Sequence, residues 1–161
     1  MTKKLPSVFV CMPTYDTMHV ATCLSLIKLF DKLTQAKIKA EIGTFKCPYV
    51  GYGRNVLTSL FLESGYDYQL FIDADMEFDP KLVGRMLLSE KANSYFYNFW
   101  DTVFDAKSGY WWGEDTHFCN LARNAGFKFY AVADGETTHH GNFGFTGTLL
   151  DTFKRTDEKS N

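Results

Sequence analysis

Hydrophobic positions along the chain change repeatedly between a strand-like pattern and a helical spacing. Residues 7–12 form an apolar run that predicts a first strand, and residues 37–45 alternate well enough to predict a second. Between them, Asp16 or Thr17 is expected to cap a helix. Apolar residues at helical spacing predict the buried face of that helix: Val20, Leu24, Leu26, Ile27, Leu29, Phe30 and Leu33.

The same alternation continues through the rest of the chain. A helix is predicted over residues 54–64 with Gly65 as its C-terminal cap. After a short apolar strand, Asp79-Pro80 predicts the start of another helix, because proline is well tolerated at the first helical position. A helix over residues 114–125, closed by Gly126, is predicted to bury Phe118, Leu121, Ala122 and Ala125, and residues 128–133 predict a last strand.

Alternating strands and helices predict an α/β fold with a mostly parallel sheet flanked by helices. The pattern contains no repeat and no low-complexity linker, so residues 1–150 are expected to form a single compact domain. Residues 151–161 are polar and predict a frayed tail.

An apolar strand that ends in two carboxylates carries the strongest chemical signal. Residues 70–72 form a short apolar run, as in a strand buried on both faces, and Asp73 and Asp75 follow at its carboxyl end. Open α/β sheets bind their ligands at that end of their strands. Two carboxylates there suit Mg²⁺ or Mn²⁺ bearing phosphate oxygens, although an acidic turn in solvent gives the same pattern.

Composition and charge exclude several classes of protein. The chain has 161 residues, of which 45% are hydrophobic and 17% aromatic, which is typical of a globular domain. A net charge of −2 provides no basic field for nucleic acid. No apolar run approaches the ~20 residues needed to span a bilayer. The widely spaced Cys11, Cys23, Cys47 and Cys119 indicate buried thiols in a reducing compartment, so a cytoplasmic location is expected.

Three further clusters of residues indicate the chemistry in which the acidic turn takes part. Glu114 and Asp115 begin a helix beside Trp111 and Trp112, so they are either ordinary capping acids or a general base next to a surface on which a sugar stacks. His139 enters a glycine-rich segment and is a possible metal ligand. Arg54, near the start of its helix, is of a residue type that binds a phosphate or a nucleobase. It is equally typical of a surface ion pair.

The order of these clusters resembles that of the nucleotide-diphospho-sugar transferases of the GT-A fold, especially the family 2-like glycosyltransferases. The clusters are, in chain order, Pro13-Thr14-Tyr15-Asp16, Arg54-Asn55, Asp73-Ala74-Asp75, Glu114-Asp115 and His139-x-Gly141. The resemblance implies a Rossmann-like GT-A domain that transfers a sugar from UDP or GDP to a hydroxyl acceptor such as a glycan, with Mn²⁺ or Mg²⁺ as cofactor.

The resemblance also implies a role for each cluster. Pro13, Thr14, Tyr15, Asp16, Arg54, Asn55, Asp73 and Ala74 would bind the nucleotide-sugar donor. Asp73, Asp75 and His139 would hold the metal. Asp115, with Glu114 beside it, would be the catalytic base of an inverting transfer, and Trp111 and Trp112 would contact the acceptor.

The chain departs from that family between residues 88 and 114, where members usually carry a longer insert that completes the acceptor pocket. The aromatic residues of the stretch 95–100 are expected to pack mainly as core. A non-catalytic module that binds a sugar nucleotide or a glycan is therefore an alternative. A phosphohydrolase of the haloacid-dehalogenase type is a weaker one, because its nucleophilic Asp-x-Asp normally lies near the N-terminus.

Overall fold

The structure, a computed structural model, describes residues 5–88 and 100–150. Helices and strands alternate through most of these residues, as the hydrophobic pattern predicts. In chain order they are β1 (Ser7–Thr14), α1 (Val20–Gln35), β2 (Lys39–Lys46), α2 (Val50–Ser64), β3 (Tyr68–Phe71), β4 (Met76–Phe78), α3 (Pro80–Leu88), β5 (Val103–Asp105), β6 (Tyr110–Trp112), α4 (Glu114–Asn124), β7 (Thr137–His140) and β8 (Gly144–Gly147).

A parallel sheet of three strands is the centre of the fold. Its strand order is β2-β1-β3, and Val10 of the central strand pairs with Ile42 on one side and Leu70 on the other. Because all three strands run in the same direction, their carboxyl ends lie at one edge. The loops that leave this edge carry the residues that the sequence pattern singles out.

The central strand β1 is buried on both faces. Val8, Val10 and Met12 face a core that includes Leu29 of α1, whereas the alternate residues Phe9 and Cys11 face a second core that includes Leu57 of α2. Successive side chains of a strand point to opposite faces, so a continuous apolar run is what such a position requires. The first strand predicted over residues 7–12 is thus confirmed, and the structure shows that it is covered on both faces.

The remaining strands form two antiparallel sheets, in the order β4-β7-β8 and as the hairpin β5-β6. The mixed α/β class is thus confirmed, but the expected mostly parallel sheet is not, because only three of the eight strands in the described ranges belong to the parallel sheet and the others pair antiparallel. The pairing of β4 with β7 places Met76 opposite His139 and so brings the chain beyond the first sheet back to its carboxyl edge. Among the described helices, none has the length and apolarity to cross a membrane.

Several helix ends follow the sequence signals. α3 begins at Pro80, and the Asp79 carboxylate accepts a hydrogen bond from the backbone N–H of Lys81 at 2.9 Å. Gly65 ends α2 in the left-handed region at φ 71°, which favours glycine. Gly126 follows α4 at φ 90°. Capping chemistry therefore marks these boundaries correctly.

Two helix starts differ from the prediction. The cap of α1 is His19, whose Nδ1 accepts from the backbone N–H of Ala21 at 3.3 Å, and neither Asp16 nor Thr17 fills this role. α2 begins at Val50, a full turn before Arg54. Its first turn contains Gly51, a poor helix former, which is why the sequence pattern alone places the start too late.

The predicted strand over residues 128–133 is wrong. These residues form no strand in the structure, and Phe129 and Tyr130 are 47% and 57% exposed. The carbonyl of Ala133 accepts from the backbone N–H of Leu150 instead of joining a ladder. An alternating pattern produces a strand only where a neighbouring strand is available to pair with it.

The predicted helix faces are correct only in part. Of the seven apolar positions of α1, Leu26, Leu29 and Leu33 are buried, whereas Val20, Leu24 and Ile27 are at least half exposed. In α4, Ala122 is buried and Phe118 is partly buried, but Leu121 and Ala125 are exposed. Residues 95–99 and the predicted tail over residues 151–161 lie outside the described ranges.

Candidate functional site

A cleft of about 680 Å³ lies at the carboxyl edge of the parallel sheet. The loops after β1, β2 and β3, the starts of α2 and α4, and the end of β7 surround it. Its lining residues are Pro13, Thr14, Tyr15, Thr17, Met18, His19, Val20, Cys47, Pro48, Val50, Arg54, Asp73, Ala74, Asp75, Glu114, His139 and His140. Nine of the residues that the sequence singles out thus meet in one place: Pro13, Thr14, Tyr15, Arg54, Asp73, Ala74, Asp75, Glu114 and His139.

Asp73, the first residue of the acidic turn, is held by an arginine. The Nη2 atom of Arg54 donates to the two carboxylate oxygens of Asp73 at 2.9 and 3.3 Å. The Arg54 side chain is 11% exposed and that of Asp73 is 46% exposed, so the pair reaches from the protein interior into the cleft. Arg54 is a buried ion-pair residue and not the surface ion pair that the sequence left open.

The same guanidinium also holds Glu114. Its Nη1 atom donates to Glu114 Oε1 at 3.1 Å, and the Glu114 side chain is 19% exposed. Glu114 begins α4, which makes it the acid that the helix dipole stabilises in the first turn. One arginine therefore joins the turn after β3 to the start of α4.

The rings of Trp100 and Phe71 pack against Arg54, and we call these two rings the aromatic cage. The guanidinium carbon lies 4.9 Å from the centre of the Trp100 ring and 5.8 Å from that of Phe71. Trp100 in turn stacks on Phe118 of α4 at 4.4 Å with an interplanar angle of 13°. Of the predicted aromatic run, Trp100 thus packs as core beneath the cleft, as expected.

Asn55 binds the backbone of Trp100, a residue of this cage, and does not line the cleft. Its side-chain Nδ2 donates to the backbone carbonyl of Trp100 at 3.2 Å, and its Oδ1 accepts from the backbone N–H of Trp100 at 3.4 Å. Gly51 lies so close to Trp100 that a Cβ atom there would overlap the Trp100 carbonyl oxygen. The Arg54-Asn55 dipeptide is therefore engaged within the protein on both of its side chains.

Asp75, the second residue of the acidic turn, contacts His139. The two side chains meet between His139 Nε2 and Asp75 Oδ2 at 2.9 Å, although 64 residues separate them in the chain. Both are about half exposed to the cleft. The pairing of β4 with β7 produces this contact, because it aligns the residues that follow Asp75 with the end of β7.

Asp75 and His139 are the two predicted metal ligands that contact each other in the cleft. Mg²⁺ and Mn²⁺ take oxygen ligands readily, and Mg²⁺ in particular is often bound by one or two carboxylates together with substrate phosphates and water. Within residues 5–88 and 100–150, no three His, Cys, Asp or Glu side chains converge on one metal position. Asp73 stands apart from the other two predicted ligands because Arg54 holds it.

Two further histidines line the cleft beside this pair. His140 Nε2 lies 2.9 Å from Glu77 Oε2, and the His140 ring stacks on His19 at 4.0 Å with an interplanar angle of 11°. The backbone N–H of His19 donates to the carbonyl of Ala74 at 2.8 Å. His19 carried no sequence signal, because histidine is not among the preferred capping residues.

Asp115 does not reach the cleft lining. Its Oδ1 accepts from the backbone N–H of the neighbouring Thr116 at 2.6 Å, and the residue is exposed. Burial, with a smaller contribution from the nearby Asp115 carboxylate, raises the pKa of the Cys119 thiol on the same helix. Of the two acids that the sequence pairs, Glu114 faces the cleft and Asp115 lies outside its lining.

Trp111 and Trp112 do not form one surface. They are consecutive residues of β6, so their side chains point to opposite faces of the hairpin. Trp111, 72% exposed, lies 5.3 Å from Phe104, its partner on β5. The exposed aromatic surface is therefore formed by Trp111 and Phe104, a pairing that depends on a hairpin register the sequence pattern does not reveal.

Of the donor-binding residues predicted at positions 13–16, which span the end of β1 and the loop after it, only part line the cleft. Pro13, Thr14 and Tyr15 line the cleft, whereas the carboxylate of Asp16 lies outside the lining and forms an ion pair with Lys46 at the end of β2. This ion pair is exposed on both sides, so it contributes little stability.

Comparison with known proteins gives little further information. No protein-family model matches the chain. No curated protein matches it either. Among solved structures, the chain is similar to one described as "Crystal Structure of A197 from STIV", with 14% sequence identity, coverage of 91% of each chain and a TM-score of 0.49.

Proposed function

We propose that this protein is a metal-dependent glycosyltransferase of GT-A type, which moves a sugar from a UDP or GDP donor to a hydroxyl acceptor. The observation that carries the proposal is the 2.9 Å contact between Asp75 and His139 in a cleft at the carboxyl edge of a parallel sheet. This pairs a carboxylate with an imidazole at the position where α/β sheets bind their ligands.

In this proposal each part of the cleft has a chemical role. Pro13, Thr14 and Tyr15 form the wall that receives the nucleotide. Asp75 and His139 would hold Mn²⁺ or Mg²⁺, which when bound stabilises negative charge on the diphosphate leaving group. The cleft is large enough for a nucleotide sugar, since ligand sites commonly have volumes of about 300–1,000 Å³.

The acidic pair at the start of α4 would supply the base. An acceptor hydroxyl loses its proton to a carboxylate as its oxygen attacks the anomeric carbon, the bond from that carbon to the diphosphate breaks, and the configuration inverts. Glu114 already accepts a hydrogen bond from Arg54, so its carboxylate is engaged within the protein. Asp115 is free of such a partner among the described residues and is the proposed base.

The exposed side chains of Trp111 and Phe104 would add to the surface that contacts the acceptor. β6 leads through Gly113 directly into Glu114, so the aromatic surface and the acidic pair are consecutive in the chain. Sugar rings present apolar C–H faces that pack on aromatic side chains. A glycan acceptor is therefore the substrate class that this surface favours.

A second candidate function is a non-catalytic module that binds a sugar nucleotide. The specific observation in its favour is that Asp115 lies outside the cleft lining. Hydrolysis or transfer of a UDP- or GDP-sugar in the presence of Mn²⁺ distinguishes the two, because a binding module would hold the donor without turning it over.

The first test is calorimetric titration of UDP and GDP into the protein, with Mn²⁺ and then with EDTA. We expect one of them to bind in a metal-dependent manner. Asp75→Asn should abolish the metal-dependent part while the circular dichroism spectrum stays unchanged, because a neutral amide is a much poorer ligand for a hard cation. Equal nucleotide affinity with and without Mn²⁺ in the unsubstituted protein would refute the metal assignment.

A further inference from the structure

The position of Arg54 between two acids suggests a role beyond donor binding. Its guanidinium donates to Asp73 at 2.9 Å and to Glu114 at 3.1 Å, and these acids come from different parts of the chain. An arginine presents its donors in a planar fork that suits two carboxylates at once. As long as these contacts persist, the lone pairs of Asp73 that accept from Arg54 are not available to another cation.

The surroundings of Arg54 fix it in this position. Its side chain is 11% exposed, lies over the Trp100 ring and contacts Phe71. Its Nε atom is buried without a hydrogen-bond partner among the residues that the structure describes. The contacts of the charged end of Arg54 are therefore those to the two acids and to the two aromatic rings.

The balance of charge in the cleft depends on this one residue. Among the described residues that line the cleft, Arg54 is the sole Lys or Arg, whereas Asp73, Asp75 and Glu114 are acidic. Removing the guanidinium would leave the carboxylates without a compensating positive charge. A divalent cation would then be attracted to the same position by the uncompensated negative charge.

We propose that Arg54 is a positioning residue that keeps Asp73 away from a divalent cation until a nucleotide diphosphate enters the cleft. The inference rests on the proposed function, since it assigns the order in which the site is assembled. A diphosphate offers Arg54 acceptors that suit its fork as well as carboxylates do. Asp73 is then released to join Asp75 and His139, so metal affinity and nucleotide affinity are coupled and each increases the other.

The coupling is measured with Mn²⁺ alone as the probe, from the electron paramagnetic resonance signal of the free ion. We expect weak binding to the unsubstituted protein and binding about 10-fold tighter when UDP or GDP is present, within the range of typical coupling energies. Arg54→Gln should bind Mn²⁺ alone about 10-fold more tightly than the unsubstituted protein. In that variant the nucleotide should increase the affinity for Mn²⁺ less than it does in the unsubstituted protein.

A matched control is provided by Arg85, which donates to Asp134 at 2.8 Å on the surface, away from the cleft. Arg85→Gln removes a guanidinium from a carboxylate in the same way and should leave Mn²⁺ affinity unchanged. Thermal unfolding of both variants establishes that they are folded. An Arg54→Gln protein that binds Mn²⁺ no more tightly than the unsubstituted protein would overturn the proposal.

A second variant keeps the proposal testable if Arg54→Gln does not fold. Asp73→Asn retains an oxygen that accepts from Arg54, so the cage should stay intact. It should bind Mn²⁺ alone as the unsubstituted protein does, but show less tightening by the nucleotide than the unsubstituted protein shows. Loss of Mn²⁺ binding in the absence of nucleotide would mean that Asp73 already serves the cation with Arg54 in place, and would reject the inference.

The proposed function and the inference fail in different ways. If neither UDP nor GDP binds to the unsubstituted protein, the glycosyltransferase proposal is rejected. The effect of Arg54→Gln on Mn²⁺ alone is read without a nucleotide, so it tests the role of Arg54 separately. Nucleotide binding combined with an unchanged Mn²⁺ affinity in Arg54→Gln would leave the function standing and reject the inference.

Discussion

The two acids at the start of α4 have different hydrogen-bond partners, although they are adjacent in the chain. Glu114 is held by Arg54 and is largely buried. Asp115 contacts its neighbour Thr116 and is exposed. Adjacent residues of the same chemical type therefore have different surroundings, and their substitution should have different effects on activity.

We expect Asp115→Asn to reduce sugar transfer about 10²–10⁴-fold, the usual contribution of a general base, without changing donor affinity. Glu114→Gln should have a smaller effect, because glutamine still accepts from Arg54. Steady-state kinetics with separate donor titrations measure both. The reverse order of effects would assign the base to Glu114, and full activity in both variants would remove the acidic pair from the mechanism.

At the scale of secondary-structure elements, close packing requires a glycine in the first turn of α2. Gly51 lies in the first turn of α2, against the backbone carbonyl of Trp100, and leaves no space for a side chain. Gly84 in α3 has no atom within 4 Å of the position of a Cβ. The two glycines thus occupy helices for different reasons.

We predict opposite effects of alanine at these two positions. Gly51→Ala should lower the free energy of unfolding by about 1–3 kcal/mol, because the added methyl group displaces Trp100 from the cage around Arg54. Gly84→Ala should raise it by about 0.5–1 kcal/mol, because alanine favours the helix and nothing obstructs it. Urea unfolding measures both changes. Equal effects would show that the contact of Gly51 with Trp100 does not contribute to the free energy of unfolding.

The elements that the sequence predicted best are those whose signals are local. The apolar run over residues 7–12, the proline that begins α3 and Gly65 at the end of α2 all gave correct assignments. The strand expected over residues 128–133 failed because strand formation requires a partner, which is a property of the tertiary structure. The late start assigned to α2 has the same origin, since the reason for Gly51 lies 49 residues away at Trp100.

The candidate site was predictable as a set of residues, but not as a set of contacts. Nine of the residues singled out in the sequence line the cleft, because strand ends and helix starts converge at the edge of a parallel sheet. That Arg54 would hold Asp73 and Glu114 could not be read from the sequence, because the pairing depends on side-chain positions that only packing determines. The hairpin register that separates Trp111 from Trp112 is a further case.

At the scale of the whole molecule, Cys11 reports on global unfolding. It lies in the central strand, is fully buried and donates to the carbonyl of Leu57 of α2 at 3.7 Å. Burial raises the pKa of the Cys11 thiol to about 11, a shift slightly reduced by a hydrogen bond from Gln69. A reagent that requires the thiolate should therefore reach Cys11 only after the sheet opens.

We expect Cys47, which lines the cleft, to react with iodoacetamide at pH 8 in the native protein, while Cys11 stays unmodified until denaturant is added. Peptide mass spectrometry distinguishes the two sites. Rapid modification of Cys11 in the native protein at pH 8 would show that the central strand is accessible without global unfolding.

The raised pKa also fixes the direction of a pH effect on stability. Well below pH 9 the thiol is protonated in both states and contributes no pH dependence. Between about pH 9 and 11 the unfolded state loses this proton and the native state keeps it, so stability decreases as pH rises. Cys11→Ala should remove this contribution, and urea unfolding at pH 8 and pH 10 measures the difference in slope.

The division of the strands between sheets has a consequence for the order of folding. Every strand of the parallel sheet, and both helices that pack on it, come from residues 7–71, whereas the β4-β7-β8 sheet needs residues as distant as 76 and 147. On a ribosome, the first unit can be complete while the second half of the chain is still being made. Force measurements on arrested nascent chains would detect two separate folding events. Pro13, Thr14 and Asp75 would then be in place before His139 is made, so under the proposed function a nascent chain would gain its proposed metal pair only after residue 139 has been synthesised.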